Sequence, residues 1–287
     1  MSENKYISLC GNIIEENDSG AIHQNRGFLY GDGFFESMHW HQNNILFLYD
    51  HLERIKHAFN ILHLDHLAID FNKLIDEIKQ LISLNKIVND ARIRLTFYRS
   101  SGGTYAPVTN NTEWLITVSP LSTIGFKLNE NGLNISIFSE QKKTTSSISN
   151  IKSLNSLVSV LAGRYANENQ LDDALLINTS DYVIEGYNAN LFIISKGELI
   201  TPPLTDGCID GMMRKQVIII AEELKIPFSE SSLTPSAIEN ADEIMLTNAI
   251  QGIRWVGKMR AKNYQNQIIK TIFSAFTNRI SSGHPAW

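Results

Sequence analysis

Apolar positions recur along this chain with two periods, one typical of helices and one typical of strands. Residues 52–62 place apolar side chains at helical spacing behind Asp50, a residue type that often caps helices. Residues 71–84 repeat that period. Residues 91–98 alternate apolar and polar side chains, as a half-buried strand does. The first part of the chain therefore predicts strands mixed with helices.

The remainder of the chain shows the same two patterns. Residues 119–132 interrupt them, because Pro120, Gly125 and Gly132 favour an irregular connection there. We therefore expect an α+β fold in two domains, a small one at 1–119 and a larger one at 133–287, joined by a linker at 120–132. The other predicted strands cover 6–10, 13–14, 34–40, 45–48, 114–118, 133–138, 174–178, 182–185, 191–195, 242–247 and 253–256, and the other predicted helices cover 153–169, 211–224 and 264–280.

Composition narrows the class of protein. The 287 residues are 43% hydrophobic and 19% charged, as in ordinary globular proteins. A net charge of −5 supplies no basic surface for nucleic acid or an anionic membrane. Cys10 and Cys208 have no metal-type spacing, and the polar start resembles no secretory segment. The longest aliphatic run, 217–221, is far below the roughly 20 residues that span a bilayer. We expect a soluble cytoplasmic protein without nucleic-acid or membrane partners.

A lysine and an acid stand at the ends of predicted elements. Lys152 lies just before the helix predicted at 153–169, and Glu185 ends the strand at 182–185. An amine that forms a Schiff base and a carboxylate that bonds a pyridine nitrogen are what a pyridoxal-phosphate enzyme requires. A lysine before a helix is, taken alone, more often a solvated residue, so the surrounding segments decide between the two interpretations.

Those segments resemble the class IV aminotransferase family, the fold-type IV pyridoxal-phosphate enzymes. The family includes branched-chain and D-amino-acid aminotransferases and 4-amino-4-deoxychorismate lyases. The matching blocks run in family order over residues 20–257. They are RGFLYGDGFFE at 26–36, HLER at 51–54, IKSLN at 151–155, VIEG at 183–186 followed by NLF at 190–192, TPPL at 201–204 followed by GCIDGMMR at 207–214, and ADE at 241–243 followed by TN at 247–248.

The resemblance assigns roles to individual residues. Lys152 is expected to hold pyridoxal 5′-phosphate and to move the substrate Cα proton, which requires an amine pKa lowered by desolvation and by the cationic imine. Glu185 is expected to bond the pyridine nitrogen and to keep the ring cationic. The phosphate and ring are expected to be held by Arg54, the backbone of Met212 and Met213, Thr247, Asn248 and Ile209. The family also implies a cofactor in the cleft between the domains and a homodimer whose partner completes the site.

The sequence leaves the reaction open between two members of the family. The loop at 99–105 resembles that of the lyases, which release 4-aminobenzoate and pyruvate from aminodeoxychorismate. It lacks the arginine and histidine of D-amino-acid aminotransferases, and Leu157 replaces a tyrosine of branched-chain enzymes. We rank transamination between an amino acid and a 2-oxo acid first, the lyase second, and a non-catalytic cofactor-binding protein third. The expected substrate residues are Tyr30, Phe35, Arg99 and Tyr105.

No other group of residues in the sequence predicts a metal or nucleotide site. His57, His63 and His66 lie on or near the helix at 52–62, and no cysteine or further carboxylate completes a ligand set there. We therefore predict no metal ion. The chain has neither a GxGxxG motif after a strand nor a Walker A loop, so dinucleotide and ATP binding are not expected.

Overall fold

A computed structural model describes residues 5–16 and 24–282. The described chain forms two compact units. The first comprises the residues up to Gly125 together with Ile151–Asn155, and the second comprises Phe126–Asn150 and the residues from Ser156 onward. The predicted domain limits place Ile151–Asn155 in the second domain. In the structure this segment belongs to the first unit. The domain limits at 119 and 133 stay a prediction. None of the described helices has the length and apolar character needed to cross a membrane.

The first unit is a six-stranded antiparallel sheet with helices. Its strands are β1 (Tyr6–Leu9), β2 (Asn12–Glu15), β3 (Gly33–His41), β4 (Asn44–Ile45), β5 (Ala91–Arg99) and β6 (Thr112–Pro120), in the order β2-β1-β6-β5-β3-β4. Its helices are α1 (Arg26–Tyr30), α2 (Leu48–Leu62) and α3 (Phe71–Leu84).

The alternation along β3 gives this sheet two different faces. Phe34 and Met38 belong to a buried cluster with Ile55 and Phe59 of α2, and the rings of Phe34 and Phe59 lie 5.1 Å apart. Successive residues of a strand point to opposite faces. Phe35 therefore faces away from the helices, toward the side of the sheet that carries Lys152.

The segment around Lys152 pairs with the beginning of β3. The Lys152 carbonyl accepts a hydrogen bond from Phe35 N at 2.9 Å, and Leu154 N donates to Gly33 O at 3.0 Å. Since β4 pairs only with Trp40 and His41, this edge of β3 is open to the segment. The helix predicted from 153 begins only at α4 (Leu157–Glu168). The expectation that Lys152 lies at the mouth of a helix is wrong, because its backbone forms strand-type bonds instead.

The second unit is built on a sheet that closes on itself. Its path runs β12-β11-β10-β13-β14-β7-β8-β9, β15 adds to β14, and β9 also pairs with β10, so six strands form a ring. The strands are β7 (Leu133–Lys143), β8 (Asp173–Asn178), β9 (Val183–Gly186), β10 (Asn190–Ser195), β11 (Glu198–Thr201), β12 (Phe228–Glu230), β13 (Glu243–Asn248), β14 (Gly252–Met259) and β15 (Lys262–Asn263). The helices are α4, α5 (Met212–Glu223), α6 (Pro235–Asn240) and α7 (Gln267–Ser281).

Four strands of the ring, β8, β9, β10 and β13, are buried on both faces along nearly all of their length. Every residue of β8 is buried, and its side chains divide between two apolar clusters. Leu175 and Ile177 join one cluster, whereas Ala174 and Leu176 pack with residues of α4. A strand covered on both sides needs apolar residues in succession rather than in alternation. This explains why residues 174–177, the middle of β8, form an unbroken apolar run.

The predicted elements agree with the structure except at particular ends. The strand expected at 45–48 is the short β4, and α2 begins at Leu48 with Phe47 as its N-cap at φ 57°. Asp50 lies in the first turn of α2 and is not its cap. The strand expected at 133–138 continues as β7 to Lys143. The elements absent from the prediction are the short ones, α1, α6, β11, β12 and β15.

Candidate active site

Lys152 lies beside an aromatic ring that also contacts an arginine. The Lys152 Nζ is 5.1 Å from the centre of the Phe35 ring, and the Arg94 Cζ is 3.8 Å from the same centre. Arg94 pairs with Ser37 of β3, two residues beyond Phe35, so both side chains lie on one face of the sheet. The face that carries Lys152 thus presents two cationic groups around one apolar ring.

Arg94 is absent from the residues predicted from sequence. Burial lowers the pKa of its guanidinium, and the charge of Arg92 adds to that effect. Two arginines on one face of a strand create a local positive field that favours an anion such as a carboxylate. The alternation of residues 91–98 contained this signal, but only the register of β5 against β3 identifies Phe35 as the neighbour.

Arg54, the predicted phosphate ligand, forms a buried ion pair on the helical side of the sheet. Its Nε and Nη2 donate to the two carboxylate oxygens of Glu36 at 2.7 and 2.6 Å, and His51 Nδ1 lies 2.8 Å from Glu36. Burial would raise the pKa of Glu36, but the charge of Arg54 and the bonds from His51 and Arg54 lower it to about 2. Glu36 therefore fixes the orientation of the guanidinium. The phosphate role of Arg54 stays a prediction.

The loop that begins at Arg99 is held by two arginines that share one acid. Arg26 Nε and Arg99 Nε donate to Asp32 Oδ2 at 2.9 and 3.0 Å. Arg99 also donates through Nη1 to Asn110 Oδ1 and through Nη2 to the carbonyl of Leu62 at 2.8 Å. These contacts anchor the loop to the rest of the unit. The predicted contact of Arg99 with substrate stays untested.

Two further predicted substrate residues meet each other. The rings of Tyr30 and Tyr105 lie 5.6 Å apart, and Arg26 Cζ is 4.7 Å from the Tyr30 ring centre. Tyr105 is 91% exposed, so its hydroxyl is accessible to a ligand. Their contact with substrate remains a prediction.

In the second unit, three polar residues form a row across adjacent strands. Asn190 of β10 pairs in register with Glu185 of β9 on one side and with Thr247 of β13 on the other. Residues opposite each other in neighbouring strands point to the same face of a sheet. All three are buried, although apolar residues occupy the strands around them. Such a row requires polar partners, and Ile209, in the segment between β11 and α5, bonds both Glu185 and Asn190.

Glu185 is held at both of its oxygens. Lys143 Nζ donates to Oε1 at 2.7 Å, and Ile209 N donates to Oε2 at 2.8 Å. Lys143 also donates to Ser149 O at 3.2 Å. A cation and an amide thus fix the position of both carboxylate oxygens. The strand predicted at 133–138 ends before Lys143, and only the extension of β7 in the structure brings Lys143 to Glu185.

The segment before α5 binds to the middle of the row. Asn190 Nδ2 donates to Ile209 O at 2.7 Å, and a Cβ placed on Gly211 would lie 1.8 Å from Asn190 Oδ1. Only glycine therefore fits at this N-cap. Gly211 makes no side-chain cap, so the amides of Met212 and Met213 at the first turn have no intrahelical acceptor. The methionine side chains are buried, so only their backbone amides could donate to a ligand.

Thr247 carries the sharpest sign of a missing ligand. Its hydroxyl is buried and has no hydrogen-bond partner among the residues that the structure describes. An unsatisfied buried hydroxyl costs about 1–3 kcal/mol, so a ligand acceptor there would recover that energy. The side chain of Asn248 instead holds a turn, since its Oδ1 accepts from Ile250 N and Gln251 N. Thr247 pairs with Asn190, which contacts the N-cap of α5, and a free hydroxyl together with the first amides of a helix would suit a phosphate group.

The chain is similar to known proteins over almost its full length. Residues 33–259 match the family described as Amino-transferase class IV. A Methanocaldococcus jannaschii protein, described provisionally as a branched-chain-amino-acid aminotransferase, is 28% identical over 98% of this chain and 97% of its own. The D-alanine aminotransferase of Staphylococcus haemolyticus is 27% identical over 84% of each chain. The crystal structure of a branched-chain aminotransferase from Thermoproteus uzoniensis with norvaline matches at a TM-score of 0.86 and 27% identity, covering 96% of this chain and 94% of the other.

Proposed function

Because the chain belongs to the class IV aminotransferase family, we propose that it is a pyridoxal-5′-phosphate-dependent enzyme that moves an amino group between a small amino acid and a 2-oxo acid. The observation that carries the cofactor assignment is the buried row of Glu185, Asn190 and Thr247 with its unsatisfied hydroxyl. An acid, an amide and a hydroxyl in that order provide the polar contacts for a ring nitrogen and a phosphate.

The residues of the second unit fit this cofactor. When bound, pyridoxal phosphate supplies an aldehyde that condenses with amines and a ring that accepts electrons from the substrate Cα. Glu185, held in place by Lys143, would be the acceptor for the pyridine N–H. The Thr247 hydroxyl and the amides of Met212 and Met213 donate to the phosphate. Ile209 would pack on the ring, and Arg54 and Asn248 are proposed as further phosphate contacts.

Lys152 is the proposed catalytic residue of the first unit. Its Nζ would hold the cofactor covalently and would serve as the base that removes the proton from the substrate Cα. The Phe35 ring limits the water around that amine, since its centre lies 5.1 Å away. The backbone pairing of Lys152 with β3 fixes the position from which the side chain extends.

Arg94 and Phe35 support the choice of substrate class. The guanidinium of Arg94 suits a substrate carboxylate, because its planar fork can donate two parallel hydrogen bonds. The Phe35 ring beside it offers an apolar surface for an aliphatic side chain. A small or branched-chain amino acid carries both groups. Tyr30, Tyr105 and Arg99 are retained as substrate contacts on the strength of the family resemblance.

The test supplies three candidate substrates to purified, cofactor-loaded protein. L-leucine and D-alanine are each mixed with 2-oxoglutarate, and glutamate is measured; aminodeoxychorismate is supplied alone. Glutamate from either amino acid supports the aminotransferase and identifies the accepted stereoisomer. The Lys152→Ala variant is the control, and it should form no glutamate.

Two other outcomes would replace the proposal. Release of pyruvate and 4-aminobenzoate without glutamate would establish the lyase, which the loop at 99–105 resembles. Cofactor binding without turnover of any of the three compounds would favour a non-catalytic protein. Retention of both Lys152 and Glu185 argues against that last outcome, because binding alone does not require the pair.

A homodimer is part of the same proposal. Leu157, Val160 and Leu161 of α4 are exposed apolar side chains at helical spacing, so they form one stripe. Burial of that stripe by a second copy would remove apolar surface from water. Sedimentation equilibrium should give twice the chain mass, and Val160→Glu should shift the protein toward the monomer.

A further inference from the structure

A compact cluster of two histidines and one aspartate lies in the first unit, apart from Lys152. His39 and His41 are two residues apart on β3, so both point to the same face, and Asp90 directly precedes β5. His39 Nε2 lies 2.8 Å from Asp90 Oδ2, and His41 Nδ1 lies 2.8 Å from Asp90 Oδ1. His39 and Asp90 are almost fully buried, and His41 is 9% exposed.

The three side chains offer a set of metal ligands. One ligand atom from each residue can be chosen so that all lie within 4.8 Å of one another. Ligands about 2 Å from a common ion lie roughly 3–4 Å apart, so small side-chain rotations would close the set. We propose that His39, His41 and Asp90 bind one divalent transition-metal ion of the zinc class.

The ligand types decide the class of ion. Two imidazole nitrogens favour zinc, copper, nickel or iron, whereas magnesium and calcium prefer oxygen ligands. Binding would replace the hydrogen bonds between the imidazoles and the carboxylate, and it would release the protons now held there. Three protein ligands leave one tetrahedral position for water.

The surroundings hold the aspartate in place and give the ion a structural role. Gly125 N donates to Asp90 Oδ2 at 2.7 Å, the kind of outer contact that orients a carboxylate ligand. The nearest cation on the same face, Arg92, directs its Nη2 toward Ser37 Oγ at 3.5 Å. An ion at the cluster would join the end of β3 to the residue that directly precedes β5. Its effect is therefore expected on the stability of the first unit.

This site is independent of the proposed aminotransferase activity. The absence of a metal predicted from sequence rested on His57, His63 and His66, which lie on or after α2. The His-x-His spacing of β3 was the available signal, and Asp90 completes the set only through the pairing of β3 with β5.

The experiment titrates cofactor-loaded protein, first freed of metal with a chelator, with Zn²⁺ by calorimetry and with Co²⁺ by visible absorption. The wild type is expected to bind one equivalent. The His39→Gln/His41→Gln double variant should lose that binding, and Asp90→Asn should weaken it at least about tenfold. The matched control is His57→Gln/His63→Gln, which removes two exposed histidines and should bind as the wild type does.

A second measurement needs no variant. Zn²⁺ should raise the thermal unfolding midpoint of the metal-free wild type in a concentration-dependent manner, and Mg²⁺ at the same concentrations should not. Equal zinc binding by the wild type and the His39/His41 double variant would overturn the proposal. A wild type that neither binds a stoichiometric ion nor gains stability from Zn²⁺ would also overturn it, and the cluster would then be a hydrogen-bond network alone.

Discussion

Two of the buried carboxylates, one in each unit, are held in opposite ways. Glu36 of the first unit is bonded by the charged Arg54, and its pKa falls from 4.5 to about 2 despite burial. Asp173 of the second unit accepts only from the backbone N–H groups of Ala174 and Tyr187 among its described hydrogen bonds. Burial raises the pKa of Asp173 from 3.8 to about 7. A full charge nearby overcomes desolvation, whereas two amides do not.

The candidate functional residues follow the same division. The first unit surrounds Phe35 with the cations Lys152 and Arg94. The second unit offers mostly neutral donors, namely the hydroxyl of Thr247 and the first amides of α5. A cationic side chain can bind an anionic group of the substrate or transfer a proton, whereas a fixed neutral donor only holds a group in one orientation. Substitutions in the first unit should therefore affect chemistry more strongly than those at the neutral donors of the second.

The largest effect is expected from Lys152→Ala. Removal of the amine should reduce glutamate formation by roughly a thousandfold or more, because it removes both the covalent attachment and the proton transfer. The thermal unfolding midpoint should hardly change. The neighbouring exposed Lys142→Ala is the control, and a comparable loss of activity there would contradict the assignment.

Glu36→Gln should cost about 3–5 kcal/mol of unfolding free energy at pH 7, because it leaves Arg54 buried without its countercharge. The pKa of Glu36 is lowered in the folded state, so its stabilisation is present above pH 4.5 and is lost as the pH falls toward 2. Urea unfolding at pH 7, 5 and 3 measures this. The wild type should lose unfolding free energy as the pH falls, and the variant should not show this loss. If the unfolding free energies of the two proteins fall in parallel with pH, the charge of Glu36 does not have this role.

The effect of Asp173→Asn on the free energy of unfolding should depend on pH in the opposite direction from that of Glu36→Gln. The pKa of Asp173 is raised, so its favourable contribution is complete below pH 3.8 and is lost as the pH rises through about 7. Relative to the variant, the wild type should lose on the order of 3 kcal/mol between pH 4 and 8. Urea unfolding across that interval is the measurement. A difference that does not change with pH would mean that Asp173 stays charged.

Arg94→Gln should raise the KM for the amino acid by about 10–100-fold, because it removes a charge-assisted hydrogen bond worth roughly 1.5–3 kcal/mol. The kcat should change less, since the group binds the substrate carboxylate rather than the transferred proton. Arg92→Gln, two residues along the same strand, is the matched control. If KM changes more for Arg92→Gln than for Arg94→Gln, the substrate carboxylate is bound by Arg92 and the assignment to Arg94 is wrong.

The smallest effect is expected from Thr247→Val. Loss of one neutral hydrogen bond should weaken cofactor binding by about tenfold or less, whereas the cofactor-free protein should unfold at the same or a higher denaturant concentration. Fluorescence titration and urea unfolding measure the two quantities. Thr247→Ser should restore cofactor affinity. A loss of stability without any loss of affinity would make the hydroxyl structural.

Much of the fold was readable from local pattern. The helix predicted at 71–84 coincides with α3, and the strands at 91–98 and 174–178 differ from β5 and β8 by one residue. The errors lie where a distant contact decides a backbone state. The segment around Lys152 extends because β3 accepts it, and Phe47 rather than Asp50 caps α2. No local spacing contains either fact.

The sequence by itself determined the family and therefore the expected chemistry. Lys152 and Glu185 each lie within a contiguous motif, and a motif of four to six residues can be read without knowledge of distant neighbours. Only the tertiary structure decided which residues meet. The register of three strands aligned Glu185, Asn190 and Thr247, and the pairing of β5 with β3 brought Arg94 to Phe35. Register depends on the sum of many weak contacts between segments far apart in the chain, so it appears only when the sheets are assembled.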